Sequence, residues 1–159
     1  MESSKKTVQI LIPIYREVFD DFEQKSLASV SKHLQQFPIA FIAPKSLDIS
    51  FLNKYQLNFK YNVFRFEDAF FKSIEGYNKL MLQPYFYENF LDFDYILICQ
   101  TDAYIFKNEL NYWLNTNFDY VGAPWLDSKN FLFSHQLRLG FNKLKKLVGL
   151  NEKLYTHID

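Results

Sequence analysis

The chain has 159 residues, 48% of them hydrophobic and 23% charged, which is enough apolar material for one domain with its own core. Eighteen basic residues balance eighteen acidic ones, giving a formal net charge of zero. That balance removes the sequence-independent attraction on which nucleic-acid binders rely, and with the hydrophobic content it excludes a disordered chain.

Residues 1–7 are polar and lead directly into an apolar run, with no signal peptide before it. No apolar stretch reaches the roughly 18 residues that a membrane span needs, so the expected location is cytoplasmic. Residues 8–15 are β-branched and almost wholly apolar, the pattern of a central parallel strand buried on both faces. Pro13 should mark the end of that strand, because proline cannot donate to a central ladder. Residues 18–36 follow with helical spacing of Phe19, Phe22, Leu27, Val30 and Leu34, and Pro38 stops that helix. A second strand is expected over 39–43, before Pro44.

Ser46 or Asp48 is placed to cap a short helix running to about Leu57. Residues 62–66 read as a third strand and 67–75 as a loop. From Gly76 onward, residues 77–90 read as one helix kinked at Pro84. Residues 95–99 give the clearest buried strand, with the single cysteine, Cys99, as a buried core thiol that has no partner for an internal disulfide. A short helix over 109–114 and a further strand over 119–125 complete the series.

Strands alternating with helices at this spacing predict an α/β fold, a Rossmann-like and mostly parallel sheet flanked by helices. Ligands of such sheets bind beyond the carboxyl ends of the strands, here residues 13–16, 100–104 and 122–125. The tail differs in composition. Leu137, Leu144, Leu147, Val148 and Leu150 alternate with Arg138, Lys143, Lys145, Lys146 and Lys153. Residues 137–154 read either as a basic amphipathic helix touching anionic lipid or as a charged helix face packed on the domain.

Neither G-x-x-x-x-G-K-[ST] nor G-x-G-x-x-G occurs in the chain. His33, His135 and His157 lack zinc-site spacing, and no nucleophile elbow supports serine chemistry. Asp102 remains, directly after a buried strand. A carboxylate there is a hard oxygen ligand for Mg²⁺ or Mn²⁺, and such a metal bridges a diphosphate and offsets charge on a departing nucleotide. A turn residue or helix cap is the other reading of Asp102. A Mg²⁺-coordinating regulator domain would carry an acidic cluster by its first strand, where this chain has Pro13, Ile14, Tyr15 and Arg16.

The segment 94–110, with Gln100, Thr101, Asp102, Ala103 and Tyr104 at its centre, resembles the DxD strand region of glycosyltransferases with the A-type fold. Asp102 takes the second Asp of that motif and Gln100 replaces the first. Tyr77, Asn78, Lys79 and Leu80 resemble the aromatic-x-Arg/Lys-Leu element on the helix before it. The whole set is similar to a bacterial family of predicted glycosyltransferases known mainly as a domain of unknown function. It comprises an I-P-I-Y-R first strand, G-Y-N-K-L-M, Q-x-D-A-Y-x-F and D-Y-x-G-A-P-W, and the resemblance spans residues 8–125.

That resemblance implies transfer of a sugar, of hexosyl type, from a nucleotide-sugar donor to a polysaccharide, lipopolysaccharide or other glycan or lipid-linked acceptor. It implies a divalent metal, Mn²⁺ or Mg²⁺, on Asp102, with Gln100 as a weak neutral ligand. Pro13, Tyr15 and Arg16 would lie near the base or ribose, Lys79 would reach the diphosphate, and Tyr77 would stack on ligand. Thr101 shares the donor site, and Gly122, Ala123, Pro124 and Trp125 would face the sugar. Blander roles stand beside these: an ion pair of Arg16 with Glu17 or Asp20, a solvated Lys79, a packing Tyr77 and a core Trp125. Asp68 and Glu75 are reserve acidic candidates and Asp119 is a cap; no catalytic base is assigned.

The family continues into a G-N-G-G-x-S-L-R-like motif that does not occur here, so the expectation is a truncated donor half. Its parts would be a nucleotide-sugar-binding domain over 1–136 and a basic tail or insertion over 137–159, possessing a peripheral membrane contact through 137–154 at the inner face of the membrane. The competing expectation is a catalytically inactive nucleotide-binding remnant or interaction module with the same fold.

Overall fold

The computed structural model describes residues 6–116 and 118–122. The chain divides into two compact units, Met1–Phe118 and Asp119–Asp159. The first is described almost whole, the second only over 119–122. The expected boundary at 136/137, the basic tail, and the candidate residues Ala123, Pro124 and Trp125 lie outside the described residues.

The first unit is an α/β sandwich around a four-stranded parallel sheet, in the order β3-β2-β1-β4. The strands are β1 (Val8–Pro13), β2 (Ile39–Pro44), β3 (Tyr61–Phe66) and β4 (Tyr95–Ile98). The helices are α1 (Asp21–Leu34), α2 (Ile74–Met81), α3 (Pro84–Glu88) and α4 (Leu110–Leu114). Register pairs Ile10 with Ile39 on one side of β1 and with Leu97 on the other. All six residues of β1 are buried, as are all six of β2.

The two-residue period of a strand sorts these side chains onto two faces. Ile10, Ile12 and Ile14 join Phe41 and Ala43 in a core with Leu27, Val30 and Leu34 of α1. Leu11, Ala40 and Ile42 join a second core with Leu80 of α2 and Phe86 and Phe90. A continuous apolar run was the right sign of a two-faced strand, and β1 ends at Pro13 as expected.

Several elements differ from the sequence reading. α1 starts at Asp21 rather than 18, because Asp20 caps it, accepting from the Phe22 and Glu23 N–H groups at 2.9 Å. Its inward face is Glu23, Ser26, Leu27, Val30 and Leu34, while Phe22 is 78% exposed. Phe22 was placed on the apolar stripe, yet the neighbouring Glu23 takes the buried position. The short helix expected over 46–57 is a 3-10 helix, Ile49–Lys54, capped by Asp48.

The stretch 67–75 is not a plain loop: it holds a 3-10 turn, Asp68–Phe71, and the Ser73 cap of α2. Residues 77–90 form two helices instead of one with a kink. Pro84 has no N–H to continue α2, and it forces Gln83 into extended backbone (φ −85°, ψ 123°), so α3 begins afresh with Pro84 in its first turn. β4, which read as the clearest buried strand, is the edge strand among the described residues, and Ile98 is 37% exposed. Residues 119–122 are not strand.

Among the described residues, no helix is long and apolar enough to cross a membrane.

Candidate functional site

From β1 the chain winds outward through β2 to β3, then returns past β1 to lay down β4 on its other side. The carboxyl ends of β1 and β4 are therefore neighbours, the edge at which open α/β sheets take ligands, and the two exits form the candidate crevice. Residues 14–16 form one lip and 99–103 the other.

On the β1 lip, Ile14 is buried and donates its N–H to Ile42 O at 2.8 Å, anchoring the exit. Tyr15 is 56% exposed and Arg16 lies 5.9 Å from its ring centre. Arg16 Nη2 binds Glu23 Oε2 at 2.6 Å and stands 3.7 Å from Asp20. The anticipated ion pair with Asp20 exists, but the principal partner is Glu23, one turn further along α1.

On the β4 lip, Cys99 donates its N–H to Leu11 O at 2.8 Å, and the Ala103 N–H closes a turn on Gln100 O at 3.0 Å. Asp102 occupies the third position of that turn with an exposed side chain. Burial and the negative charge of Asp102 push the Cys99 thiol up to about 11, so it is an inert core thiol. Thr101 is 8% exposed and donates its hydroxyl to Glu23 Oε1 at 2.8 Å.

Glu23 thus bridges the two exits, one oxygen on Arg16 and the other on Thr101. It is 6% exposed, and burial by itself would raise its pKa. Hydrogen bonds from Arg16, the Asp20 N–H and Thr101 outweigh that and hold it below the ordinary glutamate value. A carboxyl whose pKa falls on folding contributes its full stabilisation above the unfolded value and loses it as pH drops through the folded one. The melting temperature of the wild type is therefore expected to fall below about pH 4.3 more steeply than that of Glu23→Gln. Parallel pH profiles for the two proteins would refute this.

α2 brings Tyr77 to the same lip. Its hydroxyl is buried without a hydrogen-bond partner among the described residues. Burial raises its pKa; the Gln100 side chain beside it offsets part of that rise, in a geometry short of a hydrogen bond. Lys79, two residues on, projects about 200° away around the helix and is exposed, so it does not share the Tyr77 face. Of the reserve carboxylates, Asp68 accepts the Ser46 N–H at 3.0 Å beyond the carboxyl ends of β2 and β3, and Glu75 lies exposed in the first turn of α2. Gly122 and Asp119 belong to the second unit; a Cβ on Gly122 would meet the Tyr120 ring, its hydroxyl oxygen at 2.6 Å.

Glu23 thus brings together Arg16 and Thr101, and Tyr77 lies beside Gln100, while Pro13, Tyr15 and Asp102 belong to the same two strand exits. Sequence reasoning missed Glu23, Ser26 and Ser29. Their i, i+3, i+6 spacing beside Leu27 and Val30 was the available signal, a polar stripe on an inward face. Among the described residues no three His, Cys, Asp or Glu side chains cluster as a metal site. A separate groove of about 450 Å³ lies between Leu34, Leu97, Ile105, Leu110 and Trp113.

No curated protein matches the sequence. Among solved structures the chain is similar to the crystal structure of S. aureus TarS 1-349, at 15% identity and a TM-score of 0.44. The similarity covers 75% of this chain, which spans only 38% of that one. A family match runs over residues 60–151, taking in the segments 76–81, 100–106 and 119–125 and leaving β1, α1 and β2 outside it. By that match, which covers more than half of its length, the chain belongs to the family described as Protein of unknown function (DUF5672).

Proposed function

We propose that the crevice between β1 and β4 binds the nucleoside diphosphate of a nucleotide sugar, and that the chain is the donor-binding part of a glycosyltransferase. The acceptor would be a polysaccharide, a lipopolysaccharide or another glycan or lipid-linked acceptor. One observation carries this reading. The sheet order sets the carboxyl ends of β1 and β4 side by side, and a single carboxylate, Glu23, joins Arg16 at one to Thr101, the neighbour of Asp102, at the other. A guanidinium and an exposed carboxylate at one crevice suit a diphosphate and its counter-cation. The resemblance of residues 100–106 to a degenerate DxD segment points the same way.

The donor set fits a divalent ion of the Mg²⁺ or Mn²⁺ type only in part. Such ions are commonly held by one or two carboxylates together with substrate phosphates and water. Asp102 supplies one carboxylate and Gln100 a neutral carbonyl oxygen. When bound, the metal would offset charge on the leaving diphosphate. Asp102 would hold it, Arg16 would orient the phosphates and Tyr15 would offer a face to the base.

Calorimetric titration with UDP and Mn²⁺ tests the site. Mn²⁺ alone should bind weakly, and Asp102→Ala should weaken UDP–Mn²⁺ binding by roughly tenfold or more. An Asp102→Ala protein that binds as tightly as wild type removes Asp102 from the metal. Nucleotide binding with neither hydrolysis nor transfer of any nucleotide sugar would favour the inactive binding module instead.

The Lys- and Arg-rich composition of residues 137–154 extends the proposal to a peripheral contact with anionic lipid at the inner membrane face. Co-sedimentation with phosphatidylserine vesicles at low salt, lost at high salt, is the expected result; equal recovery with neutral vesicles would refute it.

A further inference from the structure

We infer that Glu23 is a positioning residue of the crevice, one carboxylate that holds Arg16 at the β1 exit and sets the stance of the turn 100–103 at the β4 exit. The inference rests on the reading of that crevice as a nucleoside diphosphate site. A glutamate at the third position of α1 has a local task, closing the capping box on the Asp20 N–H at 2.9 Å. An exposed side chain does that equally well. This one is buried, and it spends both oxygens on groups outside its own helix, Arg16 at 2.6 Å and Thr101 at 2.8 Å. Burying a carboxylate is costly unless its lone pairs are filled, and here they are.

The contact is the first of a series. Ser26 donates its hydroxyl to Ala103 O, and Ser29 accepts the Ile105 N–H at 2.9 Å. Residues 23, 26 and 29 follow one face of α1 and anchor every second residue from 101 to 105. Asp102 and Tyr104, which lie between these anchors, are exposed. The seam behind the turn thus directs the Asp102 carboxylate outward. Glu23 meanwhile engages one nitrogen of Arg16 and leaves the other guanidinium donors for an anion.

The full chain is compared as wild type, Glu23→Gln, Glu23→Ala and Thr101→Val, by hydrogen exchange and by titration with UDP and Mn²⁺. Glu23→Gln retains an acceptor for the cap, so it covers the case in which Glu23→Ala does not fold. Exchange at the Ala103 and Ile105 amides should rise roughly tenfold or more while the β2 and β3 amides stay protected. UDP–Mn²⁺ affinity should fall roughly 10–100-fold in Glu23→Ala, less in Glu23→Gln, with Thr101→Val following the same local pattern. A uniform rise in exchange across β2 and β3 makes Glu23 merely structural and overturns the inference. So does unchanged UDP affinity in a folded Glu23 variant. A wild type that binds no UDP refutes the functional reading, and the exchange pattern then decides alone whether Glu23 holds the turn.

Discussion

Phe86→Ala is expected to destabilise the protein by about 3–5 kcal/mol, a large share of the roughly 5–15 kcal/mol that a domain of this kind has in total. Phe86 has no exposed surface. Its ring lies 5.3 Å from that of Phe66 on β3, 5.4 Å from Phe90 and 5.1 Å from Tyr87. α3 is five residues long with no side-chain cap, so it is too short to hold itself and depends on this packing. Truncation leaves a cavity between helix and sheet that the surrounding rings fill only in part. Urea unfolding followed by fluorescence or circular dichroism reads the change, and a loss below about 1 kcal/mol would show that α3 is not part of the core. Phe22→Ala is the control. At 78% exposure it should change stability by no more than about 0.5 kcal/mol, although sequence periodicity had set it inward.

Gly76→Ala is expected to destabilise too, against the direction of helix propensity. Alanine gains about 0.8–1.0 kcal/mol over glycine within a helix. Yet a Cβ at position 76 would come 2.7 Å from Ala69 O and 3.1 Å from Phe70 O. Both obstacles are backbone carbonyls of the 3-10 turn Asp68–Phe71, and they cannot rotate aside as a side chain would. Overpacking of this kind costs typically about 1–3 kcal/mol, so the net effect is a loss of order 1 kcal/mol. The clash also shifts α2, and with it Tyr77, relative to Gln100. UDP binding should therefore weaken along with stability. A Gly76→Ala protein more stable than wild type would mean that α2 does not press on that turn.

Much of the local architecture was legible in the chain. Pro13 ends β1 and Asp48 caps its 3-10 helix, whereas the Ser73 cap of α2 was missed because 67–75 had been read as a loop. Pro84 shows how far local rules reach. Proline chemistry announces an interruption, but whether the chain kinks or starts a new helix depends on where Phe86 and Leu80 find the sheet. The same limit applies to α1. Spacing alone set Phe22 on one apolar stripe with Phe19, Leu27, Val30 and Leu34. The decision fell to the seam with residues 101–105, which buries Glu23 and Ser26 and turns Phe22 out.

The sequence by itself determined the α/β class, the apolar strands and the exit positions of β1 and β4, because turn chemistry and continuous apolar runs are local properties. The order β3-β2-β1-β4 is not local. Only the tertiary structure decided that β4 is the edge strand of the described sheet and that its exit meets that of β1. It also decided that the carboxylate joining them comes from α1, 78 residues from Thr101. The physical reason is that no pattern within a segment records its partner. A buried Glu and a capping Glu look alike until the chain returns to fill the second oxygen.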